Sequence, residues 1–146
     1  MGMDVYGINP KIKEHSIKPD EPDSWWNCTT EEKESYFEAD REYRSENPGV
    51  YFRANVWSWR PIHNMICNAN DHHELGIPEK TLIHMGFNDG AGLDNQEDCS
   101  ALANAMESLL KEEDDIITLE GPYEVNKDHV QEFIGFLREC GGFEVC

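Results

Sequence analysis

Apolar positions recur along the chain with two different periods, and the places where the period changes mark out its elements. Met3-Asp-Val-Tyr-Gly-Ile8 alternates apolar with small or polar residues and stops at Asn9-Pro10, which predicts a first strand. Lys11 to Asn27 has no period; its charge switches repeatedly, it contains Pro19 and Pro22, and it reads as an irregular excursion tied down by Trp25 and Trp26. Thr29-Thr-Glu-Glu32 offers a capping box, in which a threonine oxygen and a glutamate satisfy free amides at a helix start. The helix predicted there runs to about Glu46, packs through Tyr36, Phe37 and Tyr43, and is stopped by Asn47-Pro-Gly49.

Val50 to Trp59 reads as a second strand. Period two places Val50, Phe52, Ala54 and Val56 on a core face, and Tyr51, Arg53, Asn55, Trp57 and Trp59 on the other. Pro61 then suits the first turn of a short helix, with His63 and Asn64 near its start. Asp94-Asn-Gln-Glu97 caps a clearer helix, whose Cys99, Leu102, Ala103, Met106, Leu109 and Leu110 are spaced by three and four. The acidic run Glu112 to Asp115 ends it as a solvated cluster, and Ile116 to Leu119 has strand character.

A last helix is capped by Asn126, buries Val130, Phe133, Ile134 and Leu137, and ends at Gly141-Gly142. Phe143-Glu-Val-Cys146 again has strand composition and is expected to pair with a sheet edge. Strands near residues 3, 50, 83, 116 and 143, with at least three helices, make an α+β fold: one domain, residues 1–146, with a small sheet.

The length allows one sizeable core and leaves no room for a second domain. With 38% hydrophobic residues the chain is too apolar for a disordered acidic tail, although its net charge is −18. Such a charge repels nucleic acid and anionic membrane over most of the surface, which argues against direct binding of either. It also permits an acidic decoy, in which carboxylates stand in for phosphates and occupy a basic groove. Five scattered cysteines without a C-x-x-C pair suggest reduced thiols in a cytoplasm. No run approaches the ~18 apolar residues of a membrane span, and Met1 to Ile8 lacks the pattern of a secretory signal.

Charge becomes informative where it vanishes. Asn47 to Asn70 contains no Asp or Glu, although acids make up 30 of the 146 residues overall. Within that gap lie Tyr51, Phe52, Arg53, Trp57, Trp59, Arg60 and His63, a weakly basic aromatic island in an acidic chain. Flat π-surfaces, guanidinium donors and the Asn55 amide together suit the base or phosphate of a nucleotide-like ligand. Plain packing, with the tryptophans covered by the Lys11 to Asn27 excursion, is the competing reading.

Asn88-Asp-Gly-Ala-Gly-Leu-Asp94 is a second candidate, since its glycines permit close backbone approach and Asp89 could accept from a ligand hydroxyl or base edge. It lacks the dinucleotide fingerprint and the P-loop Lys-Ser/Thr, and an ordinary turn into a capped helix also accounts for it. Asp71-His72-His73-Glu74 has adjacent histidines that point apart, so no metal site and no cofactor is predicted, and no nucleophile is assigned. The candidate ligand residues are therefore Arg53, Asn55, Trp57, Trp59, Arg60, His63, Asn64, Asn88 and Asp89.

Met1-Gly-Met-Asp-Val-Tyr-Gly-Ile-Asn-Pro10, Asn47-Pro-Gly-Val-Tyr-Phe-Arg-Ala-Asn-Val-Trp-Ser-Trp-Arg-Pro61, Asn88-Asp-Gly90 and Gly141-Gly-Phe-Glu-Val-Cys146 resemble a family of small proteins of tailed bacteriophages, including cyanophages, and of some bacteria. This chain has Ser58 where several members of the family that it resembles carry Trp. The family brings no activity with it, so the resemblance implies a setting, interference with host defence, and not a mechanism. Three classes follow. One sequesters a nucleotide-like signal, the second is an acidic decoy of a host nucleic-acid-binding protein, and the third cleaves the nucleotide with His63 or Asp89 as acid or base. The pocket could belong to a monomer or be shared in a homo-oligomer.

Overall fold

A computed structural model describes Gly2 to Cys146; Met1, which opens the first family motif, lies outside the described residues. In chain order the elements are β1 (Gly2–Gly7), α1 (Thr30–Glu46), β2 (Tyr51–Asn55), α2 (Val56–His73), α3 (Glu79–Met85), α4 (Gln96–Leu110), β3 (Ile116–Thr118), β4 (Glu124–Asn126), α5 (Lys127–Glu139) and β5 (Phe143–Val145). The chain is α+β. Its main sheet has the order β2-β1-β5 with both pairings antiparallel, and β3 and β4 form a separate hairpin.

The period-two reading of β1 and β2 holds up to Asn55. Met3 and Val5 pair with Ala54 and Phe52, and all four are buried on the inner face. Phe143 and Val145 of β5 extend that face, so the chain's last strand completes the sheet as its composition predicted. Against it lies α5, which buries Val130, Phe133, Ile134, Phe136 and Leu137 on one stripe. Phe133 is the hub, with its ring 5.0 Å from Phe52, 5.7 Å from Trp59 and 6.2 Å from Phe143. Each such ring contributes ~1.5–3 kcal/mol through burial alone. α4 packs against both α5 and α2 and buries Cys99, Leu102, Ala103 and Met106.

Several local expectations are corrected. The strand near residue 83 is the helix α3, which follows Pro78 and buries Met85, and the missing strand is β4. α4 is capped by Asn95 rather than Asp94, because Asn95 accepts from the Asp98 amide at 2.8 Å. Asn126 occupies the cap position of α5 without a side-chain hydrogen bond. α1 begins at the predicted place with Thr29 accepting from the Glu32 amide, but the Glu32 carboxylate accepts from Cys28 Sγ instead of closing the box, and the helix buries no residue. Trp25 covers its aromatic stripe instead, stacked 5.5 Å from Phe37, while Trp26 is 97% exposed and ties nothing down. The end of α1 is held by buried Asn47, which donates to Tyr43 O and accepts from the Lys13 amide.

The glycines of the Asn88–Asp94 loop serve the fold. Ala91 bridges Val145, and a Cβ on Gly92 would lie 1.8 Å from the Phe143 carbonyl, so Gly92 lets the loop close the outer edge of β5. Gly141 has φ 65° and would press a Cβ to 2.0 Å from Asn9 O. Gly141→Ala is therefore expected to lower unfolding free energy by more than about 2 kcal/mol in urea titrations, since both strain and clash arise. Gly135→Ala, inside α5 with open space around it, is expected to raise it by ~0.5–1 kcal/mol.

Candidate functional site

The decisive local event is at Asn55, where strand becomes helix. Its side chain accepts from the Ser58 amide at 2.9 Å, which satisfies a free donor at the helix start and begins α2 at Val56. Trp57 and Trp59 are thus on a helix and not on one strand face. Two residues apart, they diverge by about 200°. Trp59 is 1% exposed, packs edge-on against Phe133 and donates from Nε1 to Met85 O at 2.9 Å. Trp57 is 50% exposed and stacks on Tyr123 at 5.5 Å. Pro61 lies in the second turn of an 18-residue helix rather than at the start of a short one, and it is buried.

Because Trp59 fastens α2 to the end of α3, a cleft of about 450 Å³ opens between α2, the α3 end and Leu119. Its floor and sides are Trp59, His63, Asn64 and Cys67, and its lip is Ile83, Gly86 and the exposed Phe87. Arg60 stands at the rim with its guanidinium 4.9 Å from the centre of the Tyr123 ring. Among the described residues no carboxylate pairs with Arg60. No Asp or Glu lines this cleft. Four neighbouring or distant hollows all include at least one carboxylate: Glu112 and Glu113, Asp20 with Glu31 and Glu32, Asp71 with Glu79, and Asp94.

The polar atoms inside are specific. His63 Nε2 lies 2.6 Å from Leu82 O, and a carbonyl only accepts, so Nε2 carries a proton and, in the neutral ring, Nδ1 on the Gly86 side is an acceptor. Cys67 Sγ is 3.9 Å from the same Nε2, but a nitrogen already donating cannot take the thiol proton. Burial, and then the Asp71 charge, push the Cys67 thiol above its ordinary pKa. The pair is therefore not an activated nucleophile.

Of the residues singled out in the sequence, Trp59, Arg60, His63 and Asn64 come together in the cleft. Arg53 does not; it lies on the outer face of the sheet, 3.7 Å from Asp4 and largely exposed. Asn55 is spent as the helix cap, and Trp57 faces Tyr123. Asp89 accepts from or pairs with His84 at 2.6 Å outside the cleft, with Asn88 exposed beside it. Cys67, Ile83, Gly86, Phe87 and Leu119 were missed. Ile62, Met65, Ile66 and Ala69, all buried at helical spacing, carried the signal for a long α2 that would have placed Cys67 one turn beyond His63.

On the outer sheet face the Tyr51 hydroxyl donates to Asp4, and Arg44 lies 4.1 Å over the Tyr51 ring. Burial, followed by the Asp4 hydrogen bond and charge, pushes Tyr51 up to about 12 from 10.0. The folded value exceeds the unfolded one, so this contribution is whole below pH 10.0 and is lost as pH rises toward 12. Absorbance titration is expected to show a tyrosine component near pH 12 that disappears in Tyr51→Phe. Trp59→Phe is expected to cost ~1–3 kcal/mol, because it leaves the Met85 carbonyl unmet, whereas Trp57→Phe costs less than about 1 kcal/mol in the same urea titration.

No helix is long and apolar enough to cross a membrane among the described residues. Comparison with known proteins gives no match to a family model, a curated protein or a solved structure.

Proposed function

We propose that the chain binds and sequesters a nucleotide-like small molecule in the cleft along α2. The observation that carries this reading is the unpaired Arg60 at the rim of an acid-free cleft, in a chain of net charge −18. An anion approaching elsewhere meets carboxylates; here it meets a guanidinium with free N–H donors and a weakly hydrated planar face. Ile83 and Phe87 offer apolar surface for a flat ring, and Asn64 and His63 Nδ1 offer directional hydrogen bonds. The volume falls in the ~300–1,000 Å³ range of small-molecule sites. In the phage setting that the resemblance implies, the ligand is a host signal and the place of action is the bacterial cytoplasm.

Binding without cleavage suits the polar set better than catalysis, because Cys67 holds its proton and Asp89 is engaged by His84 away from the cleft. The decoy reading has one observation of its own: the acidic α1 and the segment before it leave Ile17, Trp26 and Phe37 exposed. Such a surface, with many charge pairs, would lose its basic partner steeply with salt, whereas the cleft, with one cation, would lose its ligand less steeply.

Thermal-shift screening against nucleotides, with chromatography of the recovered ligand, separates the three. Sequestration is expected to give a stabilising shift and intact ligand. Arg60→Ala is expected to weaken binding by roughly tenfold or more, about 1.4 kcal/mol, without loss of fold, since the residue is exposed. Gly86→Ala adds a methyl 3.2 Å from His63 Cε1 and should reduce binding with no change of charge. Altered ligand would point to the enzyme, and no shift with any nucleotide would move the assignment to the decoy.

A further inference from the structure

We infer that the cleft selects ligands with a single phosphate group on an otherwise uncharged planar body, and rejects nucleotides that carry a phosphate chain. The inference rests on the cleft being the ligand site and concerns which nucleotide fits it.

The first ground is the inventory of donors. Arg60 is the one permanently charged cation lining the cleft, and His63 in its neutral form turns an acceptor nitrogen toward Gly86. An acceptor repels phosphate oxygens and calls instead for an N–H or O–H on the ligand, such as the exocyclic amine of a base or a ribose hydroxyl. Asn64 supplies a neutral amide. One phosphate can be met by Arg60; a second finds no cation.

The second ground is what adjoins the cleft further along α2. The cleft runs along α2 into two adjoining hollows. One shares His63, Cys67 and Ile83 with it and adds Asp71 and Glu79. The other shares Asn64 and Leu119 and adds Glu112 and Glu113. A phosphate chain leaving the cleft toward the C-terminal half of α2 therefore runs toward carboxylates on either side of the helix. Charges act over ~8–10 Å at ordinary ionic strength, so carboxylates lining a hollow bear on a phosphate that enters it. Each phosphate added beyond the first is expected to weaken binding by roughly tenfold.

The test is calorimetric titration of the whole protein, in chelator and at fixed salt, with cyclic AMP, AMP, ADP and ATP. Affinity is expected to fall from the monophosphates through ADP to ATP. Neutralising the flanks with Glu112→Gln/Glu113→Gln, or with Asp71→Asn/Glu79→Gln, should compress that spread, while Arg60→Gln should weaken the whole series together. All four flanking acids are exposed, so these variants should fold. 1-Naphthoate, a flat ring with one anionic group and no donor for His63, should bind more weakly than AMP; equal binding would mean that the cleft reads ring and charge and not a nucleotide. ADP or ATP binding as tightly as AMP in an Arg60-dependent manner, or a spread unchanged by the flank variants, overturns this inference and leaves the cleft reading standing. Binding by no member of the series, or binding indifferent to both Arg60→Gln and Gly86→Ala, overturns the two together.

Discussion

The indole of Trp59 is where three parts of the molecule meet. Its ring is packed edge-on against Phe133 of α5, its backbone belongs to α2, and its Nε1 proton holds the carbonyl of Met85 at the end of α3. A buried N–H must find an acceptor, and the one it finds lies 26 residues along the chain. That bond joins the floor of the cleft to its lip. The orientation of Arg60, His63 and Asn64 follows from it, because on a helix the placement of one residue fixes those one turn on.

The same economy governs the rest of the fold. The sheet is three strands wide, and its last strand comes from the end of the described chain. Close backbone approach at Gly92 and Gly141 closes both sides of that strand's neighbourhood, so the loop once read as a ligand loop is part of the structural seam. Electrostatics then divides the surface. Carboxylates populate the hollows around the molecule, and the α2 cleft is spared because its floor derives from the acid-free stretch Asn47 to Asn70.

Much of this was legible in the sequence. Strong periodic helices, the first and last strands and the acid gap are local signals, and tertiary structure agrees with them. The failure at Val56 to Trp59 has a physical cause. Valine and tryptophan favour strands, so the alternation appeared to continue past Asn55. The cap hydrogen bond from Ser58 to Asn55 and the anchoring of Trp59 across the chain override that preference, and the second is a long-range contact that no local pattern reports. The candidate residues are consequently divided: Arg60, His63, Asn64 and Trp59, singled out by charge and aromatic content, line one cleft, whereas Arg53, Asn55 and Trp57 were grouped with them by a strand that ends at Asn55. Ile83, Gly86 and Phe87 were out of reach because they belong to the wall that Trp59 recruits.

The central claim is that ligand chemistry is concentrated on the exposed face of α2. Amide chemical-shift mapping of the isotopically labelled protein during titration with AMP tests it most directly. The account requires the largest perturbations at Arg60, His63, Asn64, Gly86 and Phe87, with Tyr51, Arg53 and Trp26 unmoved. Perturbations centred on the outer sheet face or on α1, with the cleft silent, would contradict it.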